Sequence, residues 1–125
     1  MAVERVILIV DHGSRRPEAN EAIGRVAAAV QTRRPDLTVR WAHMEIAPPF
    51  VPDVIADCVA GGAQEIIVQP FFLADGRHLT ETIPELVEAA RRQHPQITIR
   101  VTPHLGEHDG LVGIVLDRVD ALMAP

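Results

Sequence analysis

The run Val6-Ile7-Leu8-Ile9-Val10 is apolar at every position and mostly β-branched. A strand with one wet face would alternate, so Val3 to Val10 reads as a strand covered on both faces, as in a parallel sheet. Parallel strands require crossover helices, and the chain supplies them. From Pro17, suited to a first helical turn, apolar residues recur at Ala19, Ile23, Val26 and Val30 and stop before Pro35. Leu37 to Met44 predicts a second strand. After Pro48-Pro49, the residues Val51, Val54, Ile55, Cys58 and Val59 share a helical face closed by Gly61 and Gly62. Glu65 to Pro70 predicts a third strand, and Thr82 with Glu85 forms a capping box for a helix burying Ile83, Leu86, Val87 and Ala90. Gln96 to Val101 predicts the fourth strand. A last helix from about Gly110 to Leu122 carries Leu111, Val115, Val119 and Leu122 along one stripe. Four strand-helix units predict an α/β fold with an open, parallel, doubly wound four-stranded sheet and helices on both faces.

The 125 residues suit one domain, 1–125, with a core drawn from 47% apolar residues. The net charge of −5 and the absence of a basic tract argue against nucleic-acid binding. No apolar run is long enough to span a bilayer. Without an export leader, and with a single cysteine, Cys58, that cannot form an internal disulfide, the expected setting is the cytoplasm. All 12 cations are arginine. Genome composition explains that first, so only position can single out the arginines that grip anions.

Ligands of open parallel sheets bind beyond the carboxyl ends of the strands. The loop after the first strand, Asp11-His12-Gly13-Ser14-Arg15-Arg16-Pro17, sets a histidine at the tip of a buried strand, followed by a glycine and two arginines. Beyond the second strand come His43-Met44-Glu45, with His43 and Glu45 expected on one side. After the third strand, Phe71-Phe72-Leu73-Ala74-Asp75-Gly76-Arg77-His78 offers an apolar wall with a polar tip. The fourth adds His104. Convergence of His12, Glu45, His78 and His104 would suit a divalent first-row metal or proton transfer. His94 and His108, at helix ends, read as structural; Cys58 and Trp41 read as packing residues, and Glu81, Glu85 and Glu88 as a solvated face.

These residues resemble the small CbiX-type sirohydrochlorin chelatases over nearly the whole chain. The resemblance rests on His12-Gly13-Ser14-Arg15 with Pro17 and Asn20, Glu45 with Pro48-Pro49, Pro70-Phe71-Phe72-Leu73 with Gly76 and His78, Ile83-Pro84, and Pro103-His104-Leu105-Gly106. The family pattern has Leu-Glu where this chain has Met44-Glu45, and often lacks a histidine at position 104. The resemblance implies a flavodoxin-like fold and insertion of a divalent metal, cobalt or ferrous iron, into a tetrapyrrole for cobalamin or siroheme biosynthesis. It implies no cofactor beyond that substrate metal. His12, His78 and Glu45 would act at the metal and the pyrrole nitrogens. Arg15, Arg16 and Arg77 would hold substrate carboxylates, and Phe71, Phe72 and Leu73 would pack on the macrocycle. A sparse His/Glu set suits delivery, since a closed four-ligand cage would retain the ion.

A histidine phosphatase also carries a histidine after its first strand, but preceded by arginine; here Asp11 would repel phosphate. A metal or tetrapyrrole carrier using the same edge is the non-catalytic alternative. The resemblance further implies a homodimer, because one four-stranded unit offers a single wall to a macrocycle that needs two.

Overall fold

The protein is described by a computed structural model over residues 4–74 and 76–125, with the backbone alone at His78 and Leu79. The elements follow the expected order: β1 (Arg5–Asp11), α1 (Pro17–Arg33), β2 (Thr38–His43), α2 (Val51–Ala60), β3 (Glu65–Pro70), α3 (Ile83–Gln93), β4 (Thr98–Val101) and α4 (Gly110–Met123). The strands form one parallel sheet in the order β2-β1-β3-β4.

That order explains the unbroken apolar run, because β1 is interior in the sheet, one of its faces wholly buried and the other packed at Ile9 and partly covered at Ile7. Val6, Leu8 and Val10 join Ile66, Val68, Ile99 and the inner faces of α2 and α3 in the main core. Ile9 turns the other way, onto Ile23 and Ala27 of α1. Right-handed crossovers require this division, since β1 to β2 runs in one direction across the sheet and the next two connections run in the other. Cys58 is buried, as its place in the apolar stripe implies, and burial pushes its thiol pKa up.

Gly62 adopts φ +99° after α2 and lets the Ala63 N–H reach back to the Cys58 carbonyl at 2.9 Å. The expected capping box does not form. Thr82 has helical angles, φ −68° and ψ −47°, and makes no side-chain cap, because a π-helical turn over His78–Thr82 runs directly into α3. β4 begins at Thr98, two residues later than expected, because Ile97 N–H is drawn to the His94 carbonyl in the turn that closes α3. The stripe on α4 is present but unburied: no residue of that helix is buried. Among the described residues, α1 alone covers its face of the sheet, while α2 and α3 cover the other.

Candidate active site at the carboxyl edge of the sheet

β1 and β2 pair in register up to Asp11 opposite His43, and the pairing continues into the loops. Met44 N–H bonds the Asp11 carbonyl at 2.9 Å, and Glu45 N–H bonds that of His12 at 3.1 Å. Gly13, at φ +95°, packs so close that a Cβ there would lie 2.1 Å from the Glu45 carbonyl oxygen. Only glycine accommodates both the dihedral and the approach. Beyond Glu45, Ile46 takes φ 75°, uncommon for a β-branched residue, and Ala47 N–H closes a tight turn on the Glu45 carbonyl at 2.9 Å. Backbone contacts thus fix Glu45 from both sides.

The outcome is a pair: His12 Nε2 lies 2.6 Å from Glu45 Oε1, with the two side chains 38% and 53% exposed. His12 Nδ1 lies 3.0 Å from the Gly13 carbonyl, which accepts its hydrogen bond. Nε2 is therefore the ring nitrogen that faces the carboxylate. The pair sits at the rim, open to an incoming ligand.

Beneath it lies a second histidine-carboxylate pair. His43 is wholly buried, its Nδ1 hydrogen-bonded to Asp11, and its ring meets Trp41 edge-on at 5.4 Å. His43 Nε2 has no hydrogen-bond partner among the described residues. The expectation that His43 and Glu45 share a side gives way here. β2 ends at His43, and the bend after it turns Glu45 outward while His43 stays in the core. Sequence reasoning used Asp11 only as a repulsive charge; its partnership depends on a strand register that sequence spacing does not reveal.

The remaining candidates are spread along the same edge. The Asn20 side chain holds Ser14 through both its backbone N–H and its carbonyl, at 2.8 and 2.7 Å, bracing the loop that presents Arg15 and Arg16. Both arginines are exposed, and Arg16 pairs with Glu18 at 3.1 Å. Arg77, also exposed, pairs with Glu81 at 3.7 Å. Phe71 packs into the α1 layer and Phe72 into the opposite layer, so the two rings anchor the third loop to both sides of the sheet. Leu73, 68% exposed, is the apolar side chain that this loop turns outward. His78 begins the π-helical turn; its side chain lies outside the described residues.

Leu105 and Gly106 N–H both bond the Phe72 carbonyl at 3.1 Å, tying the fourth loop to the third. His104 lines a groove of about 350 Å³ with Pro70, Pro84, Val87 and Pro103, on the α3 side of β4. The groove lining does not include His12 or Glu45. Among the described residues, no three His, Cys, Asp or Glu side chains converge to hold a metal ion. His94 closes α3 and His108 accepts a hydrogen bond from Gly110 N–H at 2.8 Å, both at helix ends as expected.

The CbiX family model matches residues 6–122. The chain belongs to the CbiX family. Among its relatives, the chloroplastic sirohydrochlorin ferrochelatase of Arabidopsis thaliana is 39% identical over 113 residues, 90% of this chain and 50% of that protein. The sirohydrochlorin cobaltochelatase of Methanococcoides burtonii is 32% identical, covering 94% of this chain and 95% of its own. The sirohydrochlorin chelatase SirB of Bacillus subtilis subspecies spizizenii, solved in complex with cobalt, superposes with a TM-score of 0.87 at 25% identity, over 95% of this chain and 51% of SirB. This CbiX chain therefore spans half the length of the Arabidopsis and Bacillus proteins and nearly all of the archaeal one. No helix among its described residues is long and apolar enough to cross a membrane.

Proposed function

We propose that this CbiX chain is a sirohydrochlorin chelatase, inserting cobalt or ferrous iron into the tetrapyrrole. The observation that carries the reading is the His12–Glu45 pair, 2.6 Å apart at the open rim of the sheet, on a scaffold shared with relatives named for that activity. Insertion replaces two pyrrole N–H protons with a divalent ion, so the site needs a proton acceptor and ligands that release the metal. In this reading the His12–Glu45 pair takes the two pyrrole protons in turn, each held between Nε2 and the carboxylate and then passed to the solvent that both side chains face. The same two groups, with His78, meet the metal substrate on its way to the ring. Three donors leave coordination positions open for the pyrrole nitrogens.

Arg15, Arg16 and Arg77 would take the carboxylates of the macrocycle. The ion pairs that Arg16 and Arg77 make with Glu18 and Glu81 are solvent-exposed, contribute little, and exchange readily for a bidentate substrate carboxylate. Leu73, with Phe71 and Phe72 behind it, would bear on the ring. The functional unit is read as a homodimer, since one chain corresponds to half of SirB and a second copy would supply the facing wall of the cleft. The buried single thiol of Cys58 fits a reducing compartment such as the cytoplasm.

The test is anaerobic incubation of the protein with sirohydrochlorin and, separately, Co²⁺, Fe²⁺, Ni²⁺ and Zn²⁺, following the absorbance of the macrocycle. A rate above the protein-free control with Co²⁺ or Fe²⁺ is expected. Metal that stays on the protein through gel filtration, with no metallated product, would replace this reading by that of a carrier.

A further inference from the structure

We propose that Asp11 and His43 are positioning residues that hold His12 and Glu45 at their working distance, and that His43 does so through Nδ1 alone. The proposal rests on the reading of His12 and Glu45 as the reactive pair and adds what keeps them together.

His43 ties three segments to one another. Its ring Nδ1 donates to the carboxylate of Asp11, the residue before His12. Its backbone N–H donates to the Pro49 carbonyl at 2.8 Å, closing the loop that carries Glu45, and Phe50 pairs beside it. Its Cβ lies under the first loop, where a Cβ on Gly13 would come within 3.2 Å of it. Asp11 is held twice in turn, its side chain by the His43 ring and its carbonyl by Met44 N–H at 2.9 Å. Asp11 and His43 are the last residues of β1 and β2 to pair. His12 is the first residue beyond one strand end and Glu45 the second beyond the other. A side-chain bond at that point stops the strand ends from splaying, and both members of the reactive pair stand on it.

As a device for stability alone the pair is poorly chosen. His43 is wholly buried, and the desolvation of a buried histidine-carboxylate pair offsets much of its attraction, so apolar residues of like volume would serve as well. His43 Nε2, without a hydrogen-bond partner among the described residues, adds a further cost. What apolar residues cannot supply is direction. A hydrogen bond fixes distance and angle between two loops, whereas apolar contacts let them slide. His12 Nε2 and Glu45 Oε1, 2.6 Å apart at an open rim, need that constraint, because a misplacement of about 1 Å at a reactive pair can cost a hundredfold in rate.

The two nitrogens of the His43 ring can be separated by substitution. Asparagine carries an amide N–H close to the Nδ1 position and glutamine carries one close to Nε2, while leucine keeps volume without a donor. His43→Asn, His43→Gln and His43→Leu are made in the full chain, with Asp11→Asn and Asp11→Ala as a second pair; Asp11, 22% exposed, keeps access to water when its partner is removed. Each is measured for thermal unfolding, for kcat and KM with sirohydrochlorin and Co²⁺, and for amide hydrogen exchange by nuclear magnetic resonance without metal or macrocycle. His43→Leu, His43→Gln and Asp11→Ala should lower kcat about 10- to 100-fold with KM within about twofold. In the same three, exchange at Met44 and Glu45 should rise about tenfold or more while that of Leu8 and Ile9 stays as in wild type. His43→Asn and Asp11→Asn, which keep a donor and an acceptor at the bond, should stay within about threefold of wild type in both measurements. Wild-type kcat and exchange in His43→Leu would overturn the proposal. So would faster exchange throughout β1, which would make the pair a support of the whole fold. An active His43→Gln beside an inactive His43→Asn would assign the work to Nε2 and overturn it as well. A wild-type chain that inserts no metal would remove the chelatase reading, while the exchange at Met44 and Glu45 would still decide whether the pair holds the two loops.

Discussion

A methyl group on Gly13 would meet the Glu45 carbonyl at 2.1 Å and would have to be carried at φ +95°. Neither backbone can move without breaking the bonds from Met44 and Glu45 N–H to Asp11 and His12. Gly13→Ala is therefore expected to cost about 2 kcal/mol or more. In urea denaturation the midpoint should fall at an unchanged slope; an unmoved midpoint would show that the two loops are not clamped. Glu45→Gln keeps the shape and the hydrogen bond but removes the charge that shares a proton taken up at His12. It should fold like wild type and insert metal about a hundredfold more slowly, and equal rates would remove Glu45 from the chemistry. His94→Ala, at the end of α3, should change neither. At this scale His12 and Glu45 were legible in the sequence, because a histidine at a buried strand tip and a carboxylate just past the next strand must face the same edge. The pair Asp11–His43 was not: it depends on β1 and β2 aligning so that residues 32 apart meet. Strand register is set by packing, which spacing does not encode.

At the amino end of the sheet, Glu65 in β3 takes Arg5 from β1 and Arg100 from β4, the latter at 2.9 Å, linking three strands through one carboxylate that is only 12% exposed. The hydrogen bond from Arg5, and then the charge of Arg100, hold the Glu65 pKa below its ordinary value against the opposing effect of burial. A depressed carboxylate stabilises the fold at pH values above its unfolded pKa, and the benefit is lost as pH falls through the lowered folded value. Glu65→Gln should therefore unfold at a lower temperature than wild type at neutral pH, and the gap should close as pH falls below about 4.5, the group's unperturbed value. A gap that persisted undiminished into strong acid would mean that the glutamine disturbs packing instead. Elements were the most legible level of the chain: unbroken apolar runs gave strands, and 3.6-residue spacing gave helices. α3 starts at Ile83, where Thr82-x-x-Glu85 places it, but the cap bond does not form, because the preceding residues already coil in a π turn. A capping pattern cannot report whether the turn before it is helical. The stripe on α4 was read correctly as apolar and helical, but periodicity carries no information about which surface a helix meets.

As a whole molecule, the chain places three exposed arginines and the His12–Glu45 pair around one edge of a sheet only half-covered on one face. If Arg15, Arg16 and Arg77 grip substrate carboxylates, each single alanine variant should raise KM more than it lowers kcat, and added salt should weaken binding further. Wild-type constants in all three would leave the carboxylates without partners on this chain. The family and the fold follow from the sequence as a whole, since no single motif carried them. The most direct test of the account is the number of metallated macrocycles formed per chain under anaerobic conditions with excess sirohydrochlorin and Co²⁺ or Fe²⁺. A chelatase releases its product, so the count should rise with time well past one per chain in the wild type and rise about a hundredfold more slowly in His12→Ala. A count that stops at one per chain or below, or a His12→Ala chain that matches wild type, would contradict the account.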